Sequence, residues 1–188
     1  MKDNLKLSAL LGGVLISGVL VSIAAGGAQA QTATQPVQKP ITIKLGAYFP
    51  TASSGRNAGS STEFSAGLDY AFIKTATASP ILPSVYFDYQ GGSRNGGHSD
   101  SYGLGVAARY YTSTPGASVS PYFGAGVGIY DESLKRNGGG SSSNANIGAK
   151  LLAGVEFSSA LVEINYQFLP KHNGVNPDGL GLQVGYRF

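Results

Sequence analysis

The chain has 188 residues, a formal net charge of +3 and no cysteine, so it has the length of one moderate domain and no disulfide bonds to hold it together. Charged residues make up 12% of it, about half of the share that is usual in soluble globular domains. So few charges cannot cover a water-facing surface, and no basic block indicates nucleic acid as a partner. The composition argues against an ordinary soluble protein.

Residues 1–30 have the pattern of a secretory signal peptide. Lys2 and Lys6 supply positive charge, an apolar stretch runs from Leu7 to Ala25, and residues 28–30 read Ala-Gln-Ala, the small-residue pattern of a cleavage site. The length of the apolar stretch also permits an uncleaved membrane anchor. The small residues favour cleavage, so we expect the mature chain to begin directly after this segment.

Residues 31–40 contain two prolines and no periodicity, which predicts a flexible periplasmic lead. From residue 41 to residue 188, apolar residues alternate with small or polar ones, the period of two that is typical of β-strands. Eight runs predict eight strands: Ile41–Phe49, Glu63–Phe72, Ser84–Gln90, Tyr102–Tyr111, Val119–Tyr130, Ile147–Phe157, Leu161–Phe168 and Asp178–Phe188. No stretch after the signal peptide has a helical period.

The connections between these runs alternate in length. Short turns are predicted after strands four and six, as on the periplasmic side of a membrane barrel. The connection Ile73–Pro83, after strand two, is longer and indicates either an irregular turn or a shifted strand boundary. Long loops rich in Gly, Ser and Asn are predicted at Pro50–Thr62, Gly91–Ser101, Asp131–Asn146 and Leu169–Pro177.

An even number of antiparallel strands can close into a barrel, and hydrocarbon requires closure because it satisfies no open sheet edge. The second face of the strands is small and sparsely charged, which argues against a soluble sandwich and against a lipocalin-like soluble cup. We therefore expect an all-β, eight-stranded antiparallel up-and-down transmembrane β-barrel over residues 41–188, in the lipid of the bacterial outer membrane. Aromatic residues on the apolar face fall near strand ends, as interfacial girdles do: Phe49, Phe72, Tyr89, Tyr102, Tyr110, Phe157, Phe168 and Phe188.

The inward face carries charges that balance. A buried charge without a partner is costly, so pairing into a polar network is expected. An eight-stranded barrel encloses little more than its own side chains, which favours a structural plug; an ion path or a proton relay is the functional alternative. The predicted network consists of Lys44, Asp69, Asp88, Arg109, Lys150, Glu156, Glu163 and Arg187.

The last strand alternates up to the terminal carboxylate and ends on Tyr186 and Phe188. With Pro121–Tyr130 and Val162–Tyr166, it resembles the broad family of outer-membrane β-barrels that includes the OmpX, OmpA-domain and OmpW types, over essentially all of residues 41–188. The resemblance implies that Tyr186 and Phe188 form the insertion signal by which the barrel-assembly machinery of Gram-negative bacteria binds its clients. It implies little about function, because the family includes adhesion-related proteins, small-solute pores and a few enzymes.

The enzymes of that family include lipid A deacylases, small barrels that use a His, a Ser and a supporting acid. Around His172 the sequence is faintly similar to them, but Gly174 stands where the Ser is expected. His98, Ser99 and Asp100 offer the three residue types, yet neighbours on a predicted loop are poorly placed for the required chain of hydrogen bonds. Two histidines without a nearby carboxylate pair also make a weak metal site. We expect no catalytic residues, no cofactor and no metal.

The function expected from the sequence is that of a non-enzymatic integral outer-membrane barrel, with a role in envelope structure or surface interaction. A narrow pore for small or apolar solutes is the alternative, and an enzyme that modifies lipid A is the third hypothesis. Outer-membrane lipid and the assembly machinery are the expected partners. The sequence leaves open which extracellular ligand or partner the protein binds.

Overall fold

The alternating runs of the sequence form the strands of one closed sheet. The computed structural model describes residues 39–58, 60–72, 80–94, 97–113, 118–135, 141–171 and 174–188, so the predicted signal peptide and most of the predicted lead lie outside the described residues. The described part contains eight strands: β1 Ile41–Pro50, β2 Glu63–Ala71, β3 Ile81–Arg94, β4 Gly97–Tyr111, β5 Ser120–Lys135, β6 Ser141–Phe157, β7 Ala160–Phe168 and β8 Gly179–Arg187. Each strand pairs antiparallel with the next, and β8 pairs with β1. The predicted eight-stranded up-and-down barrel is confirmed.

Side chains alternate between the two surfaces of the barrel, and their distribution is the reverse of that in a soluble protein. On the outside, Leu104 is 64% exposed and Val184 is 61% exposed. On the inside, the side chains of Lys44 and Glu163 are completely buried. Water would favour the opposite arrangement, so the exposed apolar face is suited to a hydrocarbon solvent.

Tyrosine rings fill much of the interior because glycines on facing strands leave room for them. Tyr130 is fully buried between β4 and β6. A Cβ atom added at Gly103 would lie 2.4 Å from its ring, and one added at Gly148 would lie 2.9 Å from it. Any larger residue at Gly103 would therefore displace the ring, which explains why the inward face is rich in glycine.

The central strands are longer than the sequence predicted. The ladder between β3 and β4 continues to Arg94 and Gly97, and the ladder between β5 and β6 continues to Lys135 and Ser141. Most of the predicted loops 91–101 and 131–146 is therefore strand, and those two predictions were wrong. Backbone pairing does not need an apolar face, so hairpins that extend beyond the apolar band keep their ladder after the hydrophobic alternation has ended.

The third strand begins earlier than predicted, at Ile81 instead of Ser84. Pro83 lies inside the strand opposite Ala108, and its carbonyl oxygen accepts a hydrogen bond of 2.8 Å from the Phe72 backbone N–H. Of the two interpretations of the connection before it, the shifted strand boundary is the one that the described residues support. Residues 73–79 lie outside the described part.

A short helix, α1, covers Ser53–Ala58 in the first predicted loop. The prediction that no helix follows the signal peptide was wrong here, because six residues are too few to show a helical period. The Arg56 guanidinium donates hydrogen bonds to the carbonyl oxygens of Pro50 and Thr51, which tie the helix to the end of β1. Among the described residues, no helix combines the length and the apolar character that crossing a bilayer requires.

Candidate functional site

The eight predicted lumen charges are all buried, and each contacts an opposite charge from the same set. The largest cluster joins five strands. Lys44 Nζ lies 3.0 Å from Asp69 Oδ2 and 2.8 Å from Glu163 Oε1. Arg109 contacts the same two carboxylates, and its Nη2 lies 3.2 Å from Glu163 Oε2. Tyr122 completes the cluster by donating its hydroxyl to Glu163 Oε2 at 2.9 Å.

The second group lies beside the buried tyrosines. Lys150 Nζ contacts Asp88 Oδ2 at 2.7 Å and lies 3.4 Å from the centre of the Tyr86 ring. The Tyr86 hydroxyl is hydrogen-bonded to the Tyr130 hydroxyl at 2.9 Å. The ammonium group therefore has a carboxylate on one side and an aromatic face on the other, which stabilises a buried cation.

The third group lies at the end of the barrel where the chain terminates. Arg187 Nη1 lies 2.9 Å from Glu156 Oε1, and Arg187 Nη2 donates to the Tyr111 hydroxyl at 3.0 Å. That hydroxyl in turn donates to Glu156 Oε2 at 2.9 Å. Arg187 Nε also donates to Thr42 Oγ1 at 3.4 Å. The three groups therefore fill the interior with mutually neutralised side chains.

The opposite end of the barrel holds a cavity of about 30 Å³. No pattern in the sequence predicted it. Its polar wall is a row of register partners: Gln90 of β3 is opposite Ser101 of β4, and Ser101 is opposite Glu132 of β5. Glu63, the first residue of β2, also lines it. The sequence predicted Ser101 and Glu132 in loops. No strand register could therefore be predicted for them, and neither could their proximity to Gln90.

The carboxylates of this cavity are more deeply buried than their position near the rim suggests. Glu63 is 6% exposed and Glu132 is 4% exposed. Both lie outside the aromatic residues Phe64 and Tyr102 that mark this edge of the apolar band. Burial is the largest effect on each group and raises the pKa of both Glu63 and Glu132 to about 7.

The histidine that the structure describes lies on a strand and not in the predicted loop. His98 Nε2 is 2.7 Å from Asp100 Oδ2, and the Tyr89 hydroxyl donates to Asp100 Oδ1 at 2.8 Å. Ser99 lies between His98 and Asp100 on β4, so its side chain points to the other face, and both Ser99 and Asp100 line the cavity. The three residue types of a catalytic triad are thus adjacent in sequence but divided between two faces, and His172 lies outside the described residues. Among the described residues, no group of three or more His, Cys, Asp or Glu side chains could hold a metal ion.

The two residues of the predicted insertion signal lie together on the outer surface. The Tyr186 and Phe188 rings are 4.8 Å apart between centroids, and both side chains are exposed. The Phe188 backbone N–H donates to the Ile41 carbonyl oxygen at 2.8 Å, so the last residue is fixed to β1. Their role in assembly stays a prediction.

Comparison with known proteins gives matches at the level of structure. Neisserial surface protein A is 21% identical over 81% of this chain and 97% of its own, with a TM-score of 0.64. The N-terminal β-barrel domain of Pseudomonas aeruginosa OprF is 18% identical over 83% of this chain and 100% of its own, with a TM-score of 0.50. No family model and no curated protein matches the sequence. The chain has the fold of the small eight-stranded outer-membrane β-barrels, as the resemblance in its sequence predicted.

Proposed function

We propose that the protein is a non-enzymatic integral barrel of the bacterial outer membrane, with a role in envelope structure or surface interaction. The observation that carries this proposal is the inverted distribution of side chains, with exposed aliphatic and aromatic residues outside and buried ion pairs inside. A strand of nine residues at about 3.3 Å each, tilted by about 40°, rises roughly 23 Å and nearly spans an apolar band about 25 Å tall. The likeness to Neisserial surface protein A supports the same location.

Surface interaction is the role that the extended hairpins support. The β3–β4 and β5–β6 hairpins continue well past Tyr102 at the edge of the apolar band. Most of their residues there are polar, and several of them, such as Asp131 and Ser143, are exposed. A rigid hairpin projecting from the membrane presents side chains with little loss of conformational entropy on binding.

The pore alternative requires a continuous wet path that the described interior does not offer. Lys44, Lys150 and Glu163 are at most 1% exposed, and each contacts an opposite charge. Opening a path would separate these charges from their partners in a medium of low dielectric constant, which costs several kcal/mol or more. A closed plug is therefore the state that the contacts favour.

The enzyme alternative requires a nucleophile beside the histidine. His98 contacts Asp100, whereas Ser99 lies between them on β4, where successive side chains point to opposite faces. This division is the reason for proposing a non-enzymatic role. Outer-membrane lipid and the barrel-assembly machinery are the partners we propose, the machinery through Tyr186 and Phe188.

Expression in a Gram-negative host tests these proposals together. We expect the chain in the outer-membrane fraction with heat-modifiable gel mobility, no steady single-channel steps in planar bilayers, and an unchanged acyl pattern of lipid A. Recovery as a soluble periplasmic protein would overturn the membrane location. Steady conductance steps would favour the pore, and an altered acyl pattern would favour the enzyme.

A further inference from the structure

The cavity at the outer rim presents hydrogen-bond acceptors that have no partner. Gln90 Oε1, Ser101 Oγ and Glu132 Oε1 are all buried, and none of the three atoms has a hydrogen-bond partner among the described residues. Gln90 is 2% exposed and Glu132 is 4% exposed, and both line the cavity. Buried acceptors without donors are rare in folded proteins, because each one loses its hydration without a replacement. Three of them in one row indicate a site for a donor that comes from outside the chain.

The same cavity concentrates negative charge. Glu63 and Glu132 contribute carboxylates, and so does Asp100, which already contacts His98 Nε2 at 2.7 Å. The described residues that line the cavity include no Lys, Arg or His. Gly92 makes room for the Glu63 side chain, since a Cβ added there would lie 2.7 Å from Glu63 Cγ. Each of the lumen charges contacts an opposite charge, whereas Glu63 and Glu132 face a cavity. The missing donor is therefore expected to be positively charged.

The shape and size of the cavity select among cations. Hard metal ions such as Ca²⁺ take six to eight oxygen ligands at short range, and the described carboxylates and histidines form no cluster that could hold a metal. An ammonium group has three N–H donors and no acceptor, which matches a row of three unpartnered acceptors. About 30 Å³ is room for one small head group, given that a single water needs on the order of 10–15 Å³.

The remaining wall is apolar and suits an alkyl chain. Leu134 of β5 and Leu169, Val175 and Pro177 from the segment between β7 and β8 line it. Leu134, Leu169 and Val175 are themselves buried. A ligand with a charged head and a short aliphatic tail would satisfy both parts of the wall.

We propose that this cavity binds the ammonium group of a small aliphatic amine, with Gln90, Ser101 and Glu132 as acceptors, Glu63 as a second counter-charge and Leu134, Leu169 and Val175 against the alkyl chain. The inference rests on the proposed function in one respect, the exposure of this rim outside the cell. Binding to the purified barrel is measured without a membrane, so its failure is distinguishable from a failure of the outer-membrane proposal.

Calorimetric titration of the purified chain, folded in detergent micelles, with n-butylammonium chloride at pH 8 tests the proposal. We expect saturable binding, no binding of uncharged 1-butanol, and a loss of affinity of at least tenfold in Glu132→Gln. Ser101→Ala removes one acceptor and should weaken binding roughly two- to tenfold. Asp131→Asn is the matched control, because Asp131 is the exposed neighbour on the outer face, and it should bind as the wild type does.

Heat-modifiable gel mobility establishes that each variant is folded before it is titrated. Absence of saturable binding to the folded wild type would overturn the proposal and leave a cavity filled by water. Equal affinity in Glu132→Gln, Ser101→Ala and wild type would also overturn it, because the amine would then bind elsewhere. Displacement of the amine by potassium or calcium chloride at equal concentration would assign the site to a metal cation instead.

Discussion

Each charged residue of the lumen loses its hydration and gains a small number of fixed partners. The effect of its removal on the free energy of unfolding therefore depends on which charges remain around those partners. Arg109 contacts Asp69 and Glu163, which Lys44 also contacts. These four side chains carry two positive and two negative charges. Removing one cation leaves a buried anion that is only partly compensated, whereas removing one cation and one anion leaves a complete pair.

Truncation of Arg109 tests this reasoning. Arg109→Ala should lower the free energy of unfolding by about 3–5 kcal/mol, the range for a broken buried pair. The double variant Arg109→Ala/Asp69→Ala keeps the Lys44–Glu163 contact of 2.8 Å and should be less destabilised than the two single changes sum to. Urea unfolding of all four proteins in lipid vesicles measures the coupling. Small and additive effects would show a hydrated interior.

Titration of the rim carboxylates is a second prediction for single residues. Burial raises the pKa of Glu132 from 4.5 to about 7, so between these pH values the folded state holds a proton that the unfolded state has lost. The contribution of Glu132 to stability therefore falls as the pH rises from about 4.5 to about 7, by up to about 3 kcal/mol. Asp178 and Asp131 act in the same direction. Glu132→Gln should flatten the pH dependence of urea unfolding relative to Asp131→Asn, and identical curves would contradict the burial of this carboxylate.

At the scale of the strand, the sequence predicted which faces point outward but not where the ladders end. Hydrophobic alternation occurs only where the outer face contacts lipid, so it predicted β5 only as far as Tyr130. The pairing of Lys135 with Ser141 depends on backbone hydrogen bonds alone. The sequence there has no apolar alternation, so it predicts a loop where the structure has a hairpin. The helix over Ser53–Ala58 is less than two turns long, and one of its contacts comes from far along the chain: the Asn176 backbone N–H donates to Ser54 Oγ at 3.0 Å.

A charge placed on the outer face of β5 tests the assignment of that face. Val127 pairs with Val106 on β4 and with Ala149 on β6. Val127→Arg should destabilise the barrel in vesicles by about 2–4 kcal/mol, the cost of arginine near the bilayer midplane. Ser143→Arg is the control, because Ser143 is exposed on the hairpin beyond the apolar band, and it should change stability little. Equal effects of the two changes would mean that Val127 does not face lipid.

For the barrel as a whole, the sequence predicted which charged residues lie in the interior but not which of them contact each other. The alternation placed all eight charges on the inward face, and their balance indicated mutual neutralisation. Which charges meet depends on the register and tilt of the closed sheet: Lys44 and Glu163 are 119 positions apart and lie on strands that are not neighbours. The rim cavity depends on the same geometry, because Gln90, Ser101 and Glu132 meet only once two ladders, β3–β4 and β4–β5, are in register.

One face of the barrel is suited to lipid, and the other is closed to water. Two single-cysteine variants on β4 test both halves, because the chain has no cysteine of its own. Leu104 lies on the outer face and is 64% exposed, whereas Ala107 lies on the inner face and is 6% exposed. Their labelling in lipid vesicles, by a water-soluble and by a bilayer-soluble maleimide, is the measurement.

We expect Leu104→Cys to react only with the bilayer-soluble reagent and Ala107→Cys to react with neither until the protein is unfolded by heat. Rapid reaction of Ala107→Cys with the water-soluble reagent would show a hydrated lumen and contradict the closed plug. Rapid reaction of Leu104→Cys with that reagent would show that the outer face meets water, and it would contradict the membrane barrel itself.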